Sequence, residues 1–139
     1  MSEACVTEPV SGTIECKNWK EVTFDTLAGG AKLTRATSEN IYAGGIEATS
    51  TVEYLMFYSD AATAYFTGLE HVRGRLGSKA GEFVLRHVGT FRNGQSETEL
   101  TVLPGSGTEG FLGMTGGGRA TWNGEHGQVS HYVLEVECA

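Results

Sequence analysis

Between about Val10 and Glu137 the chain alternates strand-length runs with turn residues, and no long stretch repeats with helical periodicity. Asn93-Gly94 is the strongest marker, because a two-residue hairpin needs the positive φ that this dipeptide tolerates. Gly44-Gly45 marks a second tight hairpin. The expected strands are Val10–Phe24 (bent near Lys17-Asn18), Leu33–Ala43, Ile46–Tyr58, Thr63–Leu76, Glu82–Arg92, Gln95–Leu103, Gly117–Trp122 and Gln128–Glu137. Pro104-Gly105-Ser106-Gly107 stops the sixth, and Thr108 is a candidate N-cap for one short helical turn through Leu112. Eight strands joined by short connections hide their edges best by closing, so the reading is all-β: an eight-stranded antiparallel β-barrel. A two-sheet sandwich is the alternative. No linker or internal repeat divides the chain, which predicts a single domain over residues 1–139 with its core at about 10–137.

Composition excludes several classes of function. The 20 glycines are scattered rather than periodic, so the chain is not collagen-like. A net charge of −7 repels phosphate backbones and anionic lipid, so nucleic acid and membrane are not expected partners. The opening Met-Ser-Glu-Ala-Cys has neither a basic nor an apolar signal region, and a cytoplasmic location is expected. Cys5, Cys16 and Cys138 form no Cys-x-x-Cys pair; three free thiols are expected, with Cys5–Cys138 as a disulfide if the first and last strands adjoin. His126 and His131 lack a third metal ligand. Gly105, Gly107 and Gly110 match the letters of a dinucleotide fingerprint without its βαβ context, and no cofactor is expected. Arg35 on the second strand could meet an anionic group, although a solvated arginine is its default, and Tyr42, Tyr54 and Tyr58 read as packing residues.

Face assignments follow from antiparallel pairing, where opposed residues share a side. A two-residue turn at Asn93-Gly94 puts His87 and Phe91 on one face with Leu100. A symmetric loop around Lys79 sets Glu70 against His87, and a turn at Asp60-Ala61 setting Tyr58 against Thr63 adds Glu53 and Phe57. Phe66, Phe83, Trp122 and Tyr132 complete an inner face that is apolar apart from Glu53, Glu70, His87 and a phenol. Two carboxylates and an imidazole in an apolar lumen suit general acid–base chemistry, so Glu53, Glu70 and His87 are the candidate catalytic residues. Phe57, Phe66, Phe83, Phe91, Leu100, Trp122 and Tyr132 are the candidate substrate-binding residues. A satisfied polar network that fixes register is the structural alternative.

Several ordered runs carry a resemblance: Leu33-Thr34-Arg35-Ala36; Thr51 to Met56 with Tyr58; Gly68-Leu69-Glu70 with Val72, Gly74 and Leu76-Gly77; Gly81, Phe83-Val84-Leu85 and His87 with Gly89 and Phe91; and Pro104 to Thr108. By these the chain resembles a bacterial family of unknown function with an allene-oxide-cyclase-like (calycin-like) barrel. The resemblance implies a hydrophobic cavity, usually in a homo-oligomer (dimer or trimer), and no proven activity. Similar barrels in plant allene oxide cyclases and bacterial polyketide cyclases rearrange or cyclise apolar substrates. The leading expectation is therefore a cofactor-independent cyclase or isomerase of a small hydrophobic metabolite. A non-catalytic barrel that binds a small hydrophobic molecule is the alternative, and a structural oligomer with a filled barrel is a third reading.

Overall fold

Each run becomes a strand, and the strands pair antiparallel in chain order, as the computed structural model shows for residues 9–124 and 127–138. They are β1 (Val10–Thr26), β2 (Lys32–Gly44), β3 (Ile46–Asp60), β4 (Thr63–Leu76), β5 (Lys79–Arg92), β6 (Gln95–Val102), β7 (Thr115–Trp122) and β8 (Val129–Glu137). Short 3-10 turns occur at Ala28–Gly30 and Glu109–Phe111. Pairing of β1 with β8, from Val10 opposite Leu134 to Glu15 opposite Val129, closes the sheet into a barrel. Among the described residues no helix is long and apolar enough to cross a membrane. The Cys5–Cys138 pairing and His126 of the His126/His131 pair fall outside the described residues.

Three turns decide the faces. Asn93-Gly94 forms the expected two-residue turn, with Asn93 at φ 52° and Gly94 at φ 79°, so Arg92 opposes Gln95 and His87 opposes Leu100. Between β4 and β5 the turn is only Gly77-Ser78, and β5 begins at Lys79 rather than Glu82. Glu70 then opposes Leu85, not His87, and His87 opposes Gly68. That shift of two residues keeps both side chains on the inner face.

The β3–β4 turn departs by one residue, which reverses a face. Strand β3 runs on to Asp60, whose Oδ1 accepts the Ala62 N–H at 2.8 Å and tightens the turn. Tyr58 consequently opposes Ala64 rather than Thr63. Glu53, Leu55 and Phe57 point outward, while Val52, Tyr54, Met56 and Tyr58 take the inner positions. Glu53 and Phe57, expected in the lumen, therefore lie outside it.

The barrel is filled at one end and hollow at the other. At the filled end Ile46, Leu76, Phe83, Val102 and Val136 pack with Phe111 and Met114, which the β6–β7 connection folds across the barrel. The rings of Phe83 and Phe111 meet edge-on at 5.3 Å. Thr108 does not cap the 3-10 turn that follows it. Its hydroxyl instead accepts the Glu82 backbone N–H at 3.2 Å, and Ser106 Oγ accepts that of Val84 at 3.0 Å, which ties the plug to β5.

At the other end, β1 bulges between Lys17 and Lys20 and leaves β8 after the Cys16 N–H donates to the Gln128 carbonyl at 2.9 Å. Beyond that rung, among the described residues, Lys20–Thr26 pairs only with β2. Glycines on the inner surface leave room for rings: a Cβ on Gly68 would come 2.7 Å from Tyr54 Cδ1, and one on Gly89 would come 2.8 Å from Phe66 Cε2. We expect Gly68→Ala to lower stability by about 1–3 kcal/mol by overpacking, measured as a lower urea midpoint with an unchanged slope.

Candidate functional site

The inner residues of β2 are small or polar (Thr34, Ala36, Ser38, Asn40 and Tyr42), and they face β4 and β5 across the barrel. At the boundary between the plugged and hollow halves Asn40 and Tyr42 meet Glu70, a carboxylate with no exposed surface. Asn40 Nδ2 donates to Glu70 Oε2 at 3.0 Å, Ser50 Oγ donates to the same oxygen at 2.5 Å, and Tyr42 OH donates to Oε1 at 2.9 Å. His87 Nε2 completes the set, 2.7 Å from Oε1.

Burial alone would push the Glu70 carboxyl up, yet the hydrogen bond from His87, the charge of that ring when it is protonated, and the hydrogen bonds of Ser50 and Asn40 outweigh it and hold the group below its ordinary value of 4.5. Glu70 is therefore a carboxylate at neutral pH and has no proton to offer. The Nε2–H of His87 therefore points at the carboxylate, which fixes the ring's orientation and turns Nδ1 away from it. No hydrogen bond forms to Nδ1 among the described residues, where no fully buried side-chain nitrogen or oxygen lacks a partner. Nδ1 must then reach the cavity that His87 lines.

That cavity measures about 610 Å³, within the range of about 300–1,000 Å³ usual for ligand pockets, and it reaches the hairpin tips at the hollow end. Tyr54, Met56, Phe66, Phe91 and Trp122 supply much of its wall. Their rings brace one another: Tyr54 meets Phe66 at 5.5 Å and His87 at 5.4 Å, both edge-on, and Phe91 stacks on Trp122 at 6.1 Å. Trp122 Nε1 donates to the Gly127 carbonyl at 2.6 Å, which holds the indole at the rim. Cys16, a free and partly buried thiol, also lines the cavity. Among the described residues no group of three or more His, Cys, Asp or Glu side chains could hold a metal ion.

Of the expected catalytic residues, Glu70 and His87 meet and Glu53 does not join them. Glu53 lies outside the barrel, where its Oε1 pairs with Arg35 Nε at 3.2 Å in a solvent-exposed bridge. Glu70 is fully buried and does not line the cavity, so it acts on a ligand through its partners His87 and Asn40, which do. Among the expected binding residues, Phe66, Phe91 and Trp122 line the cavity. Phe83, Leu100 and Tyr132 are buried in the filled core, Tyr132 with its hydroxyl accepting the Ile46 N–H at 2.9 Å, and Phe57 faces outward. Asn40, Tyr42, Ser50 and Tyr54 were absent from the expected set. A signal existed for the first two, because the alternate positions Arg35 and Glu39 on β2 are charged and must face water.

Because the Glu70 value is lowered on folding, the associated stability is present above the ordinary value of 4.5 and is lost as pH falls through the lowered folded value. Denaturant unfolding as a function of pH should show a steeper acid limb for the native chain than for Glu70→Gln. Glu70→Ala, which strands its donors, should cost about 3–5 kcal/mol at pH 7.

A family model described as a protein of unknown function (DUF3224) matches residues 10–135. The crystal structure of a protein of unknown function from the same family, from Shewanella oneidensis MR-1, is similar over 99% of this chain and 98% of that one, with a TM-score of 0.77 and 26% identity. No curated protein matches. With the family model covering nearly the whole chain, the protein belongs to the DUF3224 family.

Proposed function

We propose that the protein is a cofactor-independent isomerase or cyclase of a small hydrophobic metabolite, with His87 as the group that moves a proton. One observation carries this reading: the imidazole stands at the inner end of an apolar cavity of about 610 Å³, with one nitrogen bound to a buried carboxylate and the other facing the lumen. A ring held in that way needs little reorganisation to accept a proton, and Glu70 stabilises the imidazolium that forms. The aromatic wall would fold a flexible substrate into a reactive conformer and keep water away. The resemblance that the sequence bears to allene-oxide-cyclase-like barrels supports this reading by analogy, since such barrels act on apolar substrates.

Simple carriage of an apolar ligand is the competing reading, favoured by the withdrawal of Glu70 from the lumen, which leaves His87 as the cavity's one histidine or acidic side chain among the described residues. A homo-oligomer is proposed as well: Leu55, Phe57, Tyr65, Leu69 and Val88 stand exposed together on the outside of β3, β4 and β5, where a second copy would cover them.

The test pairs binding with turnover. Purified protein should bind the neutral fluorophore N-phenyl-1-naphthylamine and rearrange at least one member of a panel of small unsaturated ketones, lactones and epoxyalkenes. His87→Gln should slow that turnover by about 10²–10⁴-fold while leaving fluorophore binding within about threefold. Binding without turnover across the panel would favour the carrier. Absence of binding would sink both readings.

A further inference from the structure

Tyr54 brings to the same space a hydroxyl that no other described side chain engages. It occupies an inner position of β3, opposite Gly68 of β4, which in turn opposes His87 of β5. The missing side chain at Gly68 is what lets the phenol ring lie across the strand between and contact the imidazole edge-on, at 5.4 Å between centroids. Tyr54 OH makes no hydrogen bond among the described residues, in contrast to the hydroxyls of Tyr42, Tyr58 and Tyr132, which bond Glu70, Glu21 and the Ala43 carbonyl. Since no fully buried side-chain oxygen there lacks a partner, the Tyr54 hydroxyl is not fully enclosed, and the ring's inner position against His87 puts it on the side of the cavity that both residues line. Burial first, then the charge of Glu70, pushes the phenol well above its ordinary value, so it remains a hydrogen-bond donor across the physiological range.

A base and an unengaged donor therefore share one apolar lumen. We propose that Tyr54 OH binds the carbonyl oxygen of the ligand, and that the substrate class is an enolisable β,γ-unsaturated ketone or ester whose acidic C–H faces His87 Nδ1. The inference rests on the functional reading above and narrows it. Nδ1 takes the proton on the carbon next to the carbonyl. The C–H electron pair becomes the new C=C bond, and the carbonyl π pair moves onto oxygen, where the Tyr54 hydrogen bond stabilises it. Return of the proton from Nδ1 to another carbon of the conjugated system re-forms the carbonyl and completes an isomerisation. No oxidant or reductant is consumed. An oxyanion donor of this kind raises the rate because it is already aimed at the oxygen that gains charge.

Calorimetry with 2-naphthol, an enol mimic, and naphthalene, which lacks the oxygen, tests the binding arm. The native chain should prefer 2-naphthol by about tenfold or more. Tyr54→Phe should abolish the preference while holding naphthalene affinity within about twofold, which also shows that the variant is folded with its lumen intact. Proton exchange at the α-carbon of 2-tetralone in D2O, followed by NMR, tests the chemical arm. The native chain should accelerate it, and Tyr54→Phe and His87→Gln should each reduce the acceleration by about 100-fold or more. A preference for 2-naphthol that survives Tyr54→Phe overturns the Tyr54 assignment and leaves the lumen and His87 reading standing. No acceleration by the native chain overturns the enolisable substrate class. Failure of both aromatics to bind the native chain overturns this inference together with the functional reading beneath it.

Discussion

A carboxylate with no exposed surface is the constraint around which the lumen is arranged. Glu70 would be prohibitively costly to bury alone, and four donors from three other strands meet it: Asn40 and Tyr42 on β2, Ser50 on β3 and His87 on β5. Each bond fixes a strand's register against β4, since a slip of one residue would turn the donor outward and leave the charge unpaired. Burial first, and then the same charge, keeps the phenols of Tyr42 and Tyr54 protonated, and the carboxylate holds the orientation of the His87 ring. Structural and chemical roles coincide in one residue, and the network that an apolar barrel tolerates only when complete is also what prepares an imidazole for proton transfer.

The division of the barrel into two halves gives that network its place. Below it, the β6–β7 connection supplies Phe111 and Met114 to a continuous core, so the lumen has a floor. Above it, β1 parts from β8 and glycines replace side chains on the inner surface, so the same closed sheet holds a space instead of a core. The network thus stands where apolar packing ends and the cavity begins. His87 presents its remaining nitrogen to the cavity while Glu70 stays out of contact with it.

Legibility in the sequence depended on turn geometry. At Asn93-Gly94 the residue types dictate the φ angles, and every face assignment across β5 and β6 follows correctly. At Gly77-Ser78 the turn is shorter than expected, but the error is two residues, and alternation preserves the face of Glu70 and His87. At Ser59 to Ala62 no residue compels one turn, and Asp60 closes it by an interaction between its own side chain and the Ala62 amide. That single residue of difference sends Glu53 and Phe57 outside and brings Tyr54 in. The apolar character of Leu55 and Phe57 made the wrong face of β3 look like the core, because an exposed outer patch and a lumen wall have the same composition.

The amino-acid order by itself determined the all-β class, the strand count, the meander and the polar pair Glu70 and His87 on an inner face. These depend on alternation and on local turn preferences, which act over a few residues. Which carboxylate is buried, which tyrosine enters the lumen and which aromatic rings line a cavity rather than fill a core were decided only when the sheet closed. Those outcomes depend on the register between strands and on how the β6–β7 connection covers one end. Neither is encoded within any one strand, because burial is a property of the whole barrel and a period of two amplifies a one-residue slip into a reversed face.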